Sequence, residues 1–321
     1  MTSKAAAAST AAAMQPVFLS PELGRREHRR TLNVLGSETA VFTYERMVHG
    51  SDAPAEPDST PTILAVHGFR GTHHGLLRIV DDLPGVRVIM PDLPGFGAST
   101  PLAEDRHDID GYVAWLGALA DELGLGEDTV LLGHSFGSIV AAQFCAARPR
   151  RFSRLILVNP ISAPALEGPK GLLSRLAVGY YRAGAALPER LGSALLRHPL
   201  IVRLMSEAMA KTRDHELRAF VHGQHAEHFS SFANRDLLLE SFKASISHTA
   251  ADAVDRLELP VLLVAGDRDE VAPLPAVRAF HERLADSRLT VIPGVGHLIH
   301  YETPRPAAEA IRAFLSEGED R

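Results

Sequence analysis

An alternation of two patterns constrains the fold of this chain more than any other feature. Short aliphatic runs, Thr62–Val66, Val86–Met90, Thr129–Leu132, Arg154–Val158, Pro260–Ala265 and Arg288–Ile292, are separated by longer segments of helical periodicity. Each run ends in a polar or Gly-rich segment. Runs of this kind are too short for helices and too uniformly apolar for a strand with one wet face, so they read as strands of a mostly parallel sheet covered by helices on both faces. Thr31 to Val48 adds one or two edge strands, which brings the expected α/β sheet to about eight strands. In open parallel sheets the loops at the carboxyl ends of the strands build the site, and those loops are where chemistry is expected.

Between Pro160 and about Ala253 the strand signal disappears. Gly171 to Ala186, Pro188 to Lys211 and His215 to Ala250 each carry apolar residues at i, i+3, i+4 spacing. The expected organisation is therefore a core of residues 21–160 and 254–321, with a helical cap, 161–253, inserted after the sixth strand. Residues 1–20 read as a disordered Ala-rich tail without the Leu/Val/Ile-rich stretch of a secretory signal, and Met14 is an alternative start. The Arg-rich stretch Glu22 to Arg30 reads as a solvated edge segment.

The segment Gly133-His134-Ser135-Phe136-Gly137 directly follows an apolar strand and precedes a helical run. A serine in that context is a candidate nucleophile, since a strained strand-to-helix turn with small neighbours exposes its hydroxyl. Serine needs a base and the base needs an orienting acid. Three acids compete in the loop after Val261–Val264: Asp267, Asp269 and Glu270. Asp269 is chosen because it ends the turn and precedes a hydrophobic-then-proline segment, while Asp267 is expected to shape the turn through its side chain. His297, after the last strand and preceded by glycines, is the candidate base. His300 is its competitor and is expected to cap a helix or face solvent. Backbone N–H groups of Phe136 and Phe69 are the expected donors to an oxyanion.

Together, His67-Gly68-Phe69-x-Gly71, Pro91-Asp-Leu-Pro-Gly-Phe-Gly-x-Ser99, Gly133-His-Ser-Phe-Gly137, Gly266-Asp-Arg-Asp269 and Gly294-Val-Gly-His297 resemble the motif set of the α/β-hydrolase superfamily, over about residues 30 to 315 except the cap. The resemblance implies a Ser135–Asp269–His297 triad and an esterase-like activity with no metal or organic cofactor. The expected reaction is cleavage of a carboxylic ester or thioester of a small to medium apolar acid, through an acyl-enzyme on Ser135. Serine at the elbow separates the chain from the dehalogenases and epoxide hydrolases that carry Asp there. A C–C hydrolase or lyase with the same triad is the alternative. A noncatalytic ligand receptor is the alternative from another class, and an undamaged triad speaks against it.

His67, Gly68, Arg70 and His134 are tentative substrate contacts. Arg70, with His73 and His74, is placed to meet a carboxylate or phosphate, as in the superfamily's lyases of menaquinone biosynthesis, or to form salt bridges at the loop's outer edge. His222, His225 and His228 are expected on a solvated or cap-interface face rather than around a metal. The apolar faces Leu172 to Val178 and Leu195 to Met209 are expected to pack down and line an acyl pocket.

The net charge of −6 supplies no positive field for nonspecific nucleic-acid binding. No apolar run approaches the roughly 18 residues of a membrane span. The single cysteine, Cys145, permits no intrachain disulfide and is expected to be buried packing. These features set the expectation of a cytoplasmic protein acting on a small-molecule substrate, its oligomeric state unread.

Overall fold

In a computed structural model that describes residues 25–46, 60–104, 106–164 and 171–317, the strands are β1 (Arg25–Val34), β2 (Ser37–Arg46), β3 (Thr62–Val66), β4 (Arg87–Pro91), β5 (Thr129–His134), β6 (Arg154–Val158), β7 (Val261–Gly266) and β8 (Ser287–Ile292). They form an eight-stranded sheet in the order β1-β2-β4-β3-β5-β6-β7-β8. β1 and β2 pair antiparallel, β2 pairs antiparallel with β4, and the remaining pairs are parallel. The edge hairpin begins at Arg25, earlier than the sequence pattern placed it, because the arginines of β1 need no apolar partner on a solvated edge. The expected tail 1–20 lies outside the described residues.

The helices are α1 (Leu77–Asp81), α2 (Ile109–Glu122), α3 (Phe136–Ala147), α4 (Gly171–Ala186), α5 (Glu189–Leu196), α6 (Pro199–Met209), α7 (His215–His228), α8 (Arg235–Ser247), α9 (Leu274–Arg283), α10 (Ile299–Glu302) and α11 (Pro304–Ser316). Alternate residues of the central strands feed two cores. Leu131, Leu155, Leu157 and Leu263 pack on one face with Trp115 of α2 and Ile139 of α3. Val130, Ile156, Val158 and Leu262 pack on the other with Ile311 and Phe314 of α11. This two-sided burial is why the strands read as continuous apolar runs. Cys145 is buried, and burial pushes its thiol up to about 12.

α4 to α8 form a helical insertion between β6 and β7. Two of its three expected helical runs are each divided in two. Pro199, at the first helical position behind the His198 N-cap, starts α6 afresh, since proline cannot continue a helix. The Asn234 side chain accepts from the Leu237 N–H and starts α8, a capping bond that periodicity does not report. Between α7 and α8 the chain bonds to the core: Gly97 N–H donates to the Ser231 carbonyl at 2.8 Å and Ala233 N–H to the Gly95 carbonyl at 2.9 Å. Gly95 has φ 81°, a backbone conformation that favours glycine, and Leu237 of the insertion packs directly over it. No helix among the described residues is long and apolar enough to cross a membrane.

Candidate active site

Ser135 sits between β5 and α3 with φ 53° and ψ −117°, a backbone region that costs an L-residue on the order of 1–3 kcal/mol. The surroundings hold it there: Ser135 N–H donates to the Val158 carbonyl at 3.1 Å, and Ser138 N–H donates back to the Ser135 carbonyl at 2.8 Å. The elbow also needs its glycines. A Cβ on Gly137 would stand 2.3 Å from the Val66 carbonyl oxygen, and one on Gly133 would stand 2.3 Å from that of Gly137.

The three residues expected to act together are adjacent. His297 Nε2 lies 2.7 Å from Ser135 Oγ, and His297 Nδ1 lies 2.8 Å from Asp269 Oδ2. Asp269 also accepts from Val271 N–H at 2.8 Å and Ala272 N–H at 2.9 Å. Burial favours the neutral acid, but the His297 ring and these hydrogen bonds outweigh it and hold the carboxyl below its ordinary value. With Asp269 ionised, Nδ1 of His297 carries the proton and Nε2 is left to accept from the serine hydroxyl. The competing acids are engaged elsewhere. Asp267 accepts from Gly294 N–H at 2.7 Å, tying two loops, and Glu270 pairs with Lys211 at 3.2 Å.

Asn159, which motif reading missed, completes this arrangement. It is buried at the end of β6 with φ 48°, and its Nδ2 donates to Asp269 Oδ2 at 2.8 Å and to the Gly296 carbonyl at 3.2 Å. One side chain thus holds both the acid and the loop that carries the base. The available signal was a polar residue closing a buried strand, of a type that tolerates positive φ.

Gly68 lies against Ser135: a Cβ on it would meet Ser135 Cβ at 3.1 Å. Gly71 N–H donates to the Gly68 carbonyl at 3.0 Å, closing a turn with Phe69 and Arg70 at its centre. No hydrogen bond between described residues uses the amide of Phe69 or Phe136, so both remain available as donors. His67 frames the turn. Its Nδ1 donates to the Gly68 carbonyl at 2.8 Å and its Nε2 accepts from Leu93 N–H at 2.9 Å, which leaves neither ring nitrogen for a substrate. Asp92 braces the same region by accepting from the backbone N–H and Nδ1 of His73, both at 2.8 Å.

Several expectations about polar residues need correction. Arg70 is 1% exposed and its guanidinium meets backbone carbonyls of the insertion, with no salt bridge among the described residues and no place at an outer edge. His300 neither caps a helix nor faces solvent; it is buried with its ring 4.2 Å from that of His134. His222 and His225 are buried and share the Ser206 hydroxyl, and His228 stacks on His74 at 4.1 Å. For these three α7 histidines the contacts agree with the cap-interface alternative rather than the solvated one. On the α4 and α6 faces expected to pack down, Leu176, Leu200 and Leu204 are exposed by 63%, 68% and 69%, whereas Ala177, Met205 and Met209 line the site.

A cavity of about 330 Å³ opens onto Ser135. Its lining includes Phe69, Ala177, Tyr181, Phe242 and Ile246 and the imidazoles of His134 and His300. Burial, reinforced by the neighbouring His297, pushes His134 down to about 3. Burial lowers His300 as well, with His134 adding to the shift, so both of these rings are neutral at pH 7.

Three comparisons bear on this site. The model of the alpha/beta hydrolase fold family matches residues 61–304. Lipase 3 of Moraxella sp. (strain TA144) is 26% identical over 78% of this chain and 76% of the relative. A Bacillus subtilis (strain 168) protein, named provisionally as a 2-succinyl-6-hydroxy-2,4-cyclohexadiene-1-carboxylate synthase, is 26% identical over 87% of this chain and 98% of the relative. Among solved structures, a thermophilic esterase from Thermogutta terrifontis superposes with a TM-score of 0.67 at 23% identity, covering 90% of this chain and 98% of the esterase.

Proposed function

The chain belongs to the α/β-hydrolase family, and from that premise we propose that it is a serine hydrolase cleaving a carboxylic ester or thioester of a small to medium apolar acid. The continuous contact from Asp269 through His297 to Ser135 Oγ carries this reading. Ser135 Oγ attacks the carbonyl carbon while His297 Nε2 takes its proton. Negative charge gathers on the carbonyl oxygen beside the N–H groups of Phe69 and Phe136, the latter at the positive end of α3. Collapse returns the proton to the departing alcohol or thiol and leaves an acyl-enzyme. Water, deprotonated by the same imidazole, then releases the acid and restores the serine. In this reading α4 to α8 are a cap, and the aromatic wall of the cavity receives the acyl chain.

The test is a panel of p-nitrophenyl esters and acyl thioesters of rising chain length, run beside fluorophosphonate treatment. Turnover is expected for short and medium acyl groups, falling as the chain outgrows the cavity, with the phosphonyl adduct on Ser135 by mass spectrometry. An unlabelled Ser135 and no turnover anywhere in the panel would overturn the reading. The Bacillus subtilis relative motivates a second reading, a C–C hydrolase or lyase using the same side chains; a lyase of that relative's kind would form a 2-succinyl-6-hydroxy-2,4-cyclohexadiene-1-carboxylate and leave every ester untouched.

Asn159→Asp is expected to lower kcat by about 10- to 100-fold and to move the acid limb of the kcat/KM profile upward by about one pH unit or more. Replacing a donor with a second carboxylate puts two like charges together, so a proton is retained to higher pH, and the added negative charge also favours protonated His297. An unshifted limb would show that Asn159 does not govern the acid.

A further inference from the structure

Arg70 is a buried cation without a carboxylate partner among the described residues. Its guanidinium is bound by the helical insertion instead. Nε donates to the Phe229 carbonyl at 2.8 Å and Nη2 to the Leu196 carbonyl at 2.9 Å, with the Tyr181 hydroxyl 3.4 Å from Nη1. Leu196 is the last residue of α5 and Phe229 is the C-cap of α7. Two helix carboxyl ends, whose last carbonyls lack intrahelical partners and carry partial negative charge, converge on one fork, the Leu196 carbonyl also accepting from the Tyr180 hydroxyl at 3.1 Å. The rings of Phe229 and Phe232 cover the guanidinium carbon at 4.9 and 5.3 Å.

The other end of Arg70 is the turn that carries Phe69. Arg70 occupies its third position with φ 59°, where a turn of this hand favours glycine or asparagine. An arginine is thus held in a backbone conformation that suits it poorly, while its side chain grips the insertion. His67 ties the first residue of the same turn to the core through the Gly68 carbonyl. Phe69 lies between these two anchors, its ring against Phe96 of the core and Tyr181 and Phe242 of the insertion.

We propose that Arg70 is a positioning residue through which the seated helical insertion holds the Phe69 N–H in place beside Ser135, so that the oxyanion site is complete only while the α5 and α7 ends are docked. This rests on the serine-hydrolase reading above. It differs from a substrate-binding role, because the guanidinium is spent on backbone carbonyls and buried. It also differs from simple attachment of the insertion, which has independent bonds to the core at Gly95 and Gly97.

Arg70→Gly separates the two functions of the residue, since glycine suits the positive φ while the fork is lost. Compared with wild type, it is expected to lower kcat for p-nitrophenyl butyrate by about 10- to 100-fold, somewhat less than removal of an oxyanion donor costs. The inhibition constant of an alkyl trifluoromethyl ketone, whose adduct with Ser135 bears an oxyanion, should weaken by the same factor, with KM changed less than about threefold. Arg70→Lys, which keeps the charge but cannot span two carbonyls, should behave in the same direction and serves as the test if the glycine variant does not fold. Unchanged kcat and ketone affinity in a folded variant would overturn the proposal, as would a rise in KM alone. A wild-type protein without ester turnover or ketone inhibition would instead sink the hydrolase reading itself.

Discussion

Ser135→Ala is expected to reduce kcat for short p-nitrophenyl esters by about 10⁴- to 10⁶-fold while the protein stays folded, because the residues that act as a unit with a nucleophile cannot replace it. The substitution removes one oxygen, whose hydrogen bond is to His297. It leaves the elbow's backbone bonds to Val158 and Ser138 untouched, and alanine takes the same positive φ at a cost similar to serine's. Thermal unfolding should therefore shift by no more than a few degrees. Steady-state assays on both proteins, with circular dichroism melts as the control, decide the matter. Activity within tenfold of wild type would eliminate Ser135 as the attacking atom.

The second large effect is on acid stability. Burial pushes His107 down to about 4 and both His134 and His225 down to about 3. It lowers His300 as well, with His134 adding to the shift. In the unfolded chain each of these takes up a proton near pH 6.5. A histidine whose folded pKa lies below its unfolded value contributes stability that is complete above about pH 6.5 and is lost as the pH falls toward the folded pKa. At pH 5 His107, His134 and His225 would each have forfeited about 2 kcal/mol. Three such groups sum to about 6 kcal/mol, comparable with the whole stability of many domains.

The depressed pKa of Asp269 acts in a lower window, since its contribution persists until the pH drops below about 4. The expected result is a steep fall in the unfolding midpoint between pH 6.5 and 5. Urea unfolding at pH 7.5, 6 and 5 measures it, and a midpoint that stays level down to pH 5 would contradict the burial of these rings in neutral form.

Strands and the strand-to-helix turn at Ser135 were legible in the sequence for a common reason: both are written locally. A buried parallel strand must be apolar on both faces, so β3 and β6 are found at the bounds their patterns indicate. Ser135 is marked by glycines that flank it within five residues. Asp269 and His297 were legible through their place after particular strands, since β6, β7 and β8 lie side by side in register and deliver their terminal loops to one edge. The helical insertion was visible as a region, but its breaks at His198 and Asn234 depend on capping bonds that a 3.6-residue period averages over.

Polar side chains at the site were the least legible. Arg70, His300 and Asn159 each depend on partners 100 or more residues away, or on a ring from a separate loop. The sequence could rank their types by average exposure, and that ranking puts arginine and histidine outside. Here the penalty for burying them is met by backbone carbonyls and by loss of the imidazole proton.

By itself, then, the sequence determined an eight-stranded α/β sheet, a family, and a serine, acid and histidine in the expected order, because alternation, glycine spacing and loop position are properties of neighbouring residues. Only the tertiary structure decided that Asn159 braces Asp269 and the His297 loop, and that Arg70 is bound by two helix ends. Each of those outcomes is a hydrogen bond between distant segments, and such bonds exist only after the sheet has brought the segments together.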